Sequence, residues 1–461
     1  MKKSRNEIRE LREAAERGES EAMLELARAY DGGDGVPSNS RTAYRWYLHA
    51  AEAGHVDAMY AVGLSLVEGE GIEADPASGA DWLERASDSG QGLACWRLAL
   101  CLVEGVGRER NVELAMQTAR DGWDRTREPL CASLLADLYD EELGDESTAV
   151  AWYELAAENG EPDSMVVLGY RHRFGEGVAQ DLARAVSWYR RAVEHDHELA
   201  LSNLAVCYEN GEGVERNLRE AFRLRARAAE LGHEASAVWL GFAYLDGAGV
   251  DADKVHGLQL LEEFSASGEV AYELGLRFLE GCSAIEADAR EGIDWFRRAA
   301  EVGEPRAILH LGVLYWNGEG VTQDRAVAVK YYLRAARMRD EHAWFNLALA
   351  YEHGEGVDRS PDKADRCLRR AARLGHGRAA CALATHLLAG SERERCSALS
   401  VLDAAIRDED PDALFLAAEC ARDGLGRDAD PREALRLFQL AQVRGRDARV
   451  EIGNLRRALK G

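Results

Sequence analysis

A segment of about 36 residues recurs along nearly the whole chain, and no other feature of the sequence constrains its fold as much. The stretch Ala200-Leu-Ser-Asn-Leu-Ala-Val-Cys-Tyr-Glu-Asn-Gly-Glu-Gly-Val214 has counterparts at Ala307 to Val321, Ala343 to Val357, Ala22 to Val36 and Ser236 to Val250. Counting each unit from the small residue four places before the framework leucine gives starts at 22, 58, 94, 131, 164, 200, 236, 270, 307, 343, 379, 413 and 448. Residues 22–447 therefore read as twelve repeats in a single solenoid. Residues 1–21 read as an N-terminal capping helix, because Glu7 to Gly18 resembles the second half of a unit, and residues 448–461 as a C-terminal one. A length of 461 residues alone would suggest about three domains. The repeat replaces that expectation.

Each unit reads as two helices. In the sixth, Leu201, Leu204, Ala205 and Tyr208 form one helical face. Gly211-Glu-Gly213 then ends the helix, since glycine takes the positive φ of a helix end. A second amphipathic run spans Leu218 to Leu231, closed by Gly232. All eight prolines (37, 76, 129, 162, 305, 361, 411, 431) fall in proposed loops or first turns. Asp75-Pro76, Ser360-Pro361 and Asp430-Pro431 read as a cap followed by a first helical residue.

Packing accounts for the framework. Small residues at the first and sixth positions (Ala200 and Ala205, Ser164 and Gly169, Ala307 and Gly312) let two helices approach closely. The ninth position is bulky, as at Tyr30, Tyr139, Tyr208, Tyr244, Tyr315 and Tyr351, and second helices carry pairs such as Trp46-Tyr47, Trp152-Tyr153, Trp188-Tyr189, Trp295-Phe296 and Tyr331-Tyr332. A lone hairpin cannot bury these rings, whereas stacked neighbours can.

The pattern A-x-x-x-L-G/A-x-x-Y-x-x-G-x-G-V, then A-x-x-W-Y-x-x-A-A-x-x-G-H, resembles the Sel1-like repeat, a relative of the tetratricopeptide repeat. Gly211, Gly213 and Val214 carry it in the loops, as do Gly320 and Val321. Ala50-Ala51 with Gly54-His55, Ala228-Ala229 with Gly232-His233, and Ala371-Ala372 with Gly375-His376 carry it at unit ends. The resemblance covers about 440 residues. It implies an all-α fold, an α/α right-handed superhelical solenoid, serving as an adaptor or scaffold in bacterial protein assemblies. Three units depart from the pattern. The fourth has Glu142 for the first loop glycine, the eighth has Ser283 for the second, and the eleventh keeps Gly390 but has Glu392. Drift in a tolerant loop and a local change of pitch or contact surface are both open readings.

Motifs for catalysis are sparse. There is no Gly-x-x-x-x-Gly-Lys-Ser/Thr and no His-Glu-x-x-His, and the Gly-x-Gly turns follow helices rather than strands. His195-Asp-His197-Glu is the densest group of possible metal ligands, at a position where second helices end, and reads as a solvated turn. Ser360-Pro-Asp-Lys363 fits the Ser-x-x-Lys spacing of penicillin-recognising enzymes, but Ser-Asp-Asn and Lys-Thr-Gly are absent. Ser360 reads instead as a helix cap. Cysteine-rich relatives of the repeat family are linked to β-lactam binding, but they carry paired cysteines in each repeat, which this chain lacks. The expectation is a non-enzymatic chain with no cofactor and no metal.

By analogy with tetratricopeptide solenoids, first helices line the concave surface, with their third and seventh positions facing it. Those positions hold Tyr60/Leu64, Trp96/Leu100, Val166/Tyr170, Val238/Phe242, Tyr272/Leu276, Leu309/Val313 and Phe345/Leu349, and position ten adds Trp316. Other units differ, with Leu24/Arg28, Asp137, Thr385 and Glu419. Tyr60, Trp96, Tyr170, Phe242, Tyr272, Trp316 and Phe345 are thus the candidate protein-binding residues, for a partner helix or extended peptide with apolar anchors. The competing reading makes them core. Arg444, Arg446, Arg449, Arg456, Arg457 and Lys460 form a basic C-terminal patch, read as a solvated cap or a docking surface for an acidic partner.

Charge and cysteines narrow the setting. With 57 Lys+Arg against 82 Asp+Glu the net charge is −25, which argues against nucleic acid or an anionic membrane as partner. No apolar run approaches the ~20 residues of a membrane span, and Met1 to Glu21 lacks the apolar stretch of a secretory signal. Nine cysteines with no CxxC pair read as free, mostly buried thiols, so a reducing cytoplasm is the expected location. The functional expectation is a protein-interaction scaffold. Its rivals are a dedicated inhibitor of one toxin or enzyme and, further off, a penicillin-recognising hydrolase.

Overall fold

The computed structural model describes residues 3–459 as twenty-six helices, with no strand among the described residues. Helix α1 (Arg5–Glu16) comes first. Hairpins follow: α2 (Ser20–Gly32) with α3 (Ser40–Glu52), α4 (Val56–Glu68) with α5 (Pro76–Asp88), α6 (Gly92–Glu104) with α7 (Val112–Thr126), α8 (Pro129–Glu141) with α9 (Glu146–Glu158), α10 (Pro162–Phe174) with α11 (Leu182–Val193), and α12 (Glu198–Asn210) with α13 (Leu218–Glu230). The series continues with α14 (Glu234–Asp246) and α15 (Lys254–Glu262), α16 (Gly268–Glu280) and α17 (Ala289–Glu301), α18 (Pro305–Asn317) and α19 (Arg325–Arg337), α20 (Glu341–His353) and α21 (Pro361–Arg373), α22 (Gly377–Leu388) and α23 (Glu392–Arg407), and α24 (Pro411–Asp423) and α25 (Pro431–Val443). Helix α26 (Arg449–Ala458) is last. Twelve hairpins between two single helices make an α/α solenoid, built as two compact units, Met1–Ala237 and Val238–Gly461.

Local chemistry fixes each hairpin. Ten of the twelve second helices begin at an Asp or Asn whose side chain accepts a backbone N–H of the first turn: Asn39, Asp75, Asn111, Asp145, Asp181, Asn217, Asp253, Asp288, Asp324 and Asp430. Such caps stabilise by about 1 kcal/mol each. Pro76, Pro129, Pro162, Pro305, Pro361, Pro411 and Pro431 are first helical residues, and Pro37 lies in the α2–α3 loop. The capping residue also donates its own N–H to the ninth-position carbonyl, as from Asn217 to Tyr208 (2.9 Å) and Asp324 to Tyr315 (2.9 Å). This bond ties the loop back onto the first helix.

The two loop glycines do different work. Gly211 sits at φ 75° and ends α12 in the left-handed conformation. Gly213, at φ 69°, lies against the carbonyl of Leu182, the first residue of the preceding hairpin's second helix, with no room for a Cβ. Gly71, Gly107, Gly356 and Gly426 repeat that contact against Ser40, Pro76, Arg325 and Arg395. The second glycine is therefore a joint between repeats.

The aromatic pairs divide their labour too. The second members, Tyr47, Tyr153, Tyr189, Phe296 and Tyr332, are buried. Tyr189, Phe296 and Tyr332 lie on the sixth-position glycines Gly169, Gly275 and Gly312, where any Cβ would meet the ring. Trp295 and Trp188, first members, are covered by Arg298 and Arg191 three residues on, with guanidinium carbons 4.5 and 4.4 Å from the ring centres.

The three irregular loops have separate structures. Glu142 caps the end of α8 with right-handed backbone angles and pairs with Arg110 (2.5 Å), and Gly144 takes the positive φ instead. Ser283 Oγ donates to the Asp246 carbonyl (2.7 Å), so a side chain reaches the neighbouring hairpin here. In the eleventh hairpin the connection shrinks to residues 389–391, and α23 starts early, with Glu394 accepting from the Ser391 N–H (2.7 Å).

Candidate functional site

All seven candidate aromatics stand on first helices: Tyr60 on α4, Trp96 on α6, Tyr170 on α10, Phe242 on α14, Tyr272 on α16, Trp316 on α18 and Phe345 on α20. Their surroundings differ. Phe345 is buried and stacks on His376 (ring centres 4.3 Å apart, 18° between planes). Trp96 is half-buried against Cys95, Trp123 and Cys131. Tyr60 is half-buried, and that burial pushes its hydroxyl pKa up. Tyr170 alone of the seven is exposed, at 45%.

In the second unit the rings are roofed by arginines of the following hairpin or loop. Arg277 of α16 lies 4.2 Å from the Phe242 ring centre, Arg306 of α18 lies 4.6 Å from Tyr272, and Arg378 of α22 lies 5.3 Å from Phe345. Arg325, at the start of α19, lies 5.3 Å from Trp316. Each such contact contributes about 0.5–1 kcal/mol near solvent. The cations are anchored in turn: Arg277 pairs with Asp246 (2.8 Å) and Glu273 (3.1 Å), Arg306 with Glu304 (2.9 Å), and Arg325 with Glu355 (2.6 Å). The strip here is thus a ladder of alternating rings and guanidinium groups.

In the first unit Tyr170 packs against Phe174, one turn further along α10 (ring centres 4.6 Å apart, 49° between planes), and Phe174 is itself 51% exposed. This pair was not singled out from the sequence, although a signal existed. Most first helices carry a polar residue at the Phe174 position: Glu68, Glu104, Asn210, Asp246, Glu280, Asn317, His353 and Asp423. Arg173 beside it reaches Glu212 of the next loop (2.6 Å). Asp137, in the fourth unit, is half-buried and accepts from Tyr153 Oη (2.6 Å), and this partial burial pushes its pKa up. Arg28 pairs with Asp57 (3.5 Å).

The remaining motifs resolve into structural roles. His197 caps α12, its Nδ1 accepting the Ala200 N–H and its Nε2 lying 2.7 Å from Asp163 Oδ1 in the previous repeat. His55 meets Glu21 in the same way (3.0 Å). Ser360 occupies the cap position of α21, but its hydroxyl accepts no hydrogen bond from the helix. The nine cysteines are free, six of them buried, with Cys282 and Cys381 intermediate and Cys396 exposed. In the C-terminal patch Arg444 pairs with Glu409, Arg446 with Asp412 (3.3 Å) and Arg449 with Asp447 (2.8 Å). Lys460 lies outside the described residues. No described helix is long and apolar enough to cross a membrane.

Tandem helical hairpins with a recurrent glycine joint and an aromatic strip define an α-solenoid repeat protein. The Sel1 repeat matches residues 20–55, 56–91, 92–117, 131–161, 162–197, 199–233, 235–269, 268–304, 305–340, 342–376 and 411–441, so the chain belongs to the Sel1 repeat family. The eleventh hairpin, α22–α23, falls outside these matches. A protective antigen of uropathogenic Escherichia coli strains, c5321, which displays an SLR fold, shares 25% identity over 98% of this chain and 90% of its own, with a TM-score of 0.62. A Sel1 repeat protein from Oxalobacter formigenes shares 27% identity over 45% of this chain and 84% of its own, with a TM-score of 0.41. The immunity protein Pa5087 of Pseudomonas aeruginosa shares 18% identity over 61% of this chain and 81% of its own, and its TM-score of 0.24 is too low to inform function. None of the curated proteins matches the chain.

Proposed function

We propose that the chain is a non-enzymatic, cytoplasmic scaffold that binds a partner protein or peptide along its first-helix strip, through Tyr60, Trp96, Tyr170, Phe242, Tyr272, Trp316 and Phe345. The observation that carries this reading is the Tyr170–Phe174 pair: two large rings in tilted contact with each other and half open to solvent on α10. Exposed aromatics bury much area at little entropic cost, which makes them frequent hot spots of protein interfaces. Sel1-type repeats commonly serve as interaction scaffolds, which supports a binding role over a catalytic one. Phe345, buried under Arg378 and His376, contributes by holding the strip's shape, and Tyr170 and Tyr272 contribute contact area.

The test is affinity capture with crosslinking mass spectrometry, comparing wild type with Tyr170→Ala/Phe174→Ala/Tyr272→Ala, whose folding is checked by circular dichroism. A folded variant that loses the partners crosslinked to α10 and α16 supports the reading. Retention of every partner, or crosslinks confined to second helices, overturns it. Native mass spectrometry of the captured complexes separates a scaffold, with several partners, from a dedicated inhibitor held one to one by a single target.

A further inference from the structure

We propose a second docking site, independent of the strip, in the groove between the second helices α19 and α21, and we assign its occupant as an acidic peptide segment of a partner protein bearing an apolar anchor.

The groove has a cavity of about 400 Å³. Trp344, Leu347 and Tyr351 of α20 form its floor, and Leu333 of α19, 36% exposed, lines one wall. The other wall is cationic. Lys363, Arg366 and Arg370 project from α21 at positions i, i+3 and i+7, a row about 10 Å long. All three are exposed, and none forms an ion pair with a described residue. No carboxylate lines the groove. Arg369 and Arg373, also on α21, line the next groove together with Arg407 and Asp403.

Charge is what selects the occupant. Residues 325–373 carry 11 Lys and Arg against 7 Asp and Glu, a local excess of positive charge on a chain of net charge −25. The comparable groove between α15 and α17, of about 500 Å³, is mixed, with Lys254 and Arg298 beside Glu262. Lys363 lies over the Tyr351 ring (5.1 Å to its centre), but cations left without a carboxylate partner on so acidic a protein form a local attractive field reaching about one Debye length, ~8–10 Å. A peptide helix with carboxylates at matching i, i+4 and i+7 spacing satisfies the row while its apolar side chain covers Trp344 and Leu333. A long polyanion extends beyond the row into the field of the acidic surface and leaves the floor wet.

The experiment is fluorescence anisotropy on the full chain with a labelled amphipathic peptide of roughly four helical turns, with Glu on one face and Leu on the other. Three comparison probes are used: the peptide with Leu replaced by Ser, the peptide with Glu replaced by Lys, and a short single-stranded oligonucleotide. We expect the Glu/Leu peptide to bind, to weaken as salt rises, and to lose affinity by about tenfold or more with Lys363→Glu/Arg366→Glu/Arg370→Glu. The matched reversal Arg41→Glu/Arg45→Glu/Arg184→Glu on the first unit should leave binding as in wild type. Circular dichroism confirms that both variants fold. If the variant at α21 does not fold, the same positions changed to Gln give the comparison. Absence of binding, equal binding by the α21 variant, or binding of the Ser peptide, the Lys peptide or the oligonucleotide as tight as the Glu/Leu peptide overturns the proposal.

Discussion

His376 shows how much one side chain of the repeat carries. It caps α22 by accepting the Ala379 N–H on Nδ1 (3.2 Å), stacks on Phe345, and meets His342 edge-on. Burial, with the neighbouring His342 charge second, holds its pKa below the ordinary 6.5, and Glu341 opposes the shift. The unfolded chain therefore takes up this proton at higher pH than the folded one, so folded stability falls as pH drops below about 6.5. Asparagine at this position keeps a capping acceptor and removes the titration. We expect the loss of Tm between about pH 7.5 and 5.5 to be smaller in His376→Asn than in wild type. Parallel curves for the two proteins would show that the ring does not titrate as argued.

At the scale of elements, caps that look alike in sequence differ in strength. Asp324 accepts the Val327 N–H (2.9 Å), whereas Ser360, at the same position in α21, accepts nothing from its helix. Asp324→Ala should lower stability by about 1 kcal/mol, and Ser360→Ala by less than about 0.5 kcal/mol, in urea unfolding. Equal losses would contradict the geometry. Helix boundaries were legible because proline and glycine act locally: seven prolines open helices, and glycines such as Gly211 close them. The contacts of the strip were not. Arg277, Arg306 and Arg378 lie 33 to 35 residues after the rings they cover, and whether a long side chain folds back over the preceding hairpin is decided by packing between repeats. Phe174 was legible in principle, as an aromatic where other units are polar, but register comparison alone does not reveal that its ring meets Tyr170. The eleventh hairpin was read by spacing rather than pattern, since its short connection lacks the paired glycines.

At the scale of the molecule, each helix packs mainly on its hairpin partner and the adjacent hairpin, so stability is a sum of units and joints. Gly169→Ala tests this. A methyl there is driven against the Tyr189 ring, and such overpacking costs about 1–3 kcal/mol. Hydrogen exchange should quicken in α10 to α13 and stay unchanged in α18 to α21. Uniform quickening along the chain would mean that cooperativity extends across the whole array.

The second loop glycine has a consequence for how such a chain changes length. Because Gly213 and its equivalents touch the start of the preceding hairpin's second helix, every unit that carries this glycine brings with it the fitting for its predecessor. Gene duplication of one hairpin thus delivers a module that is already mated on one side, and arrays grow or shrink by whole units. The α8–α9, α16–α17 and α22–α23 hairpins have no glycine seated on the preceding hairpin in their connections, so a copy of any of these three would arrive without the fitting, and the lineage of this chain had less freedom to multiply them.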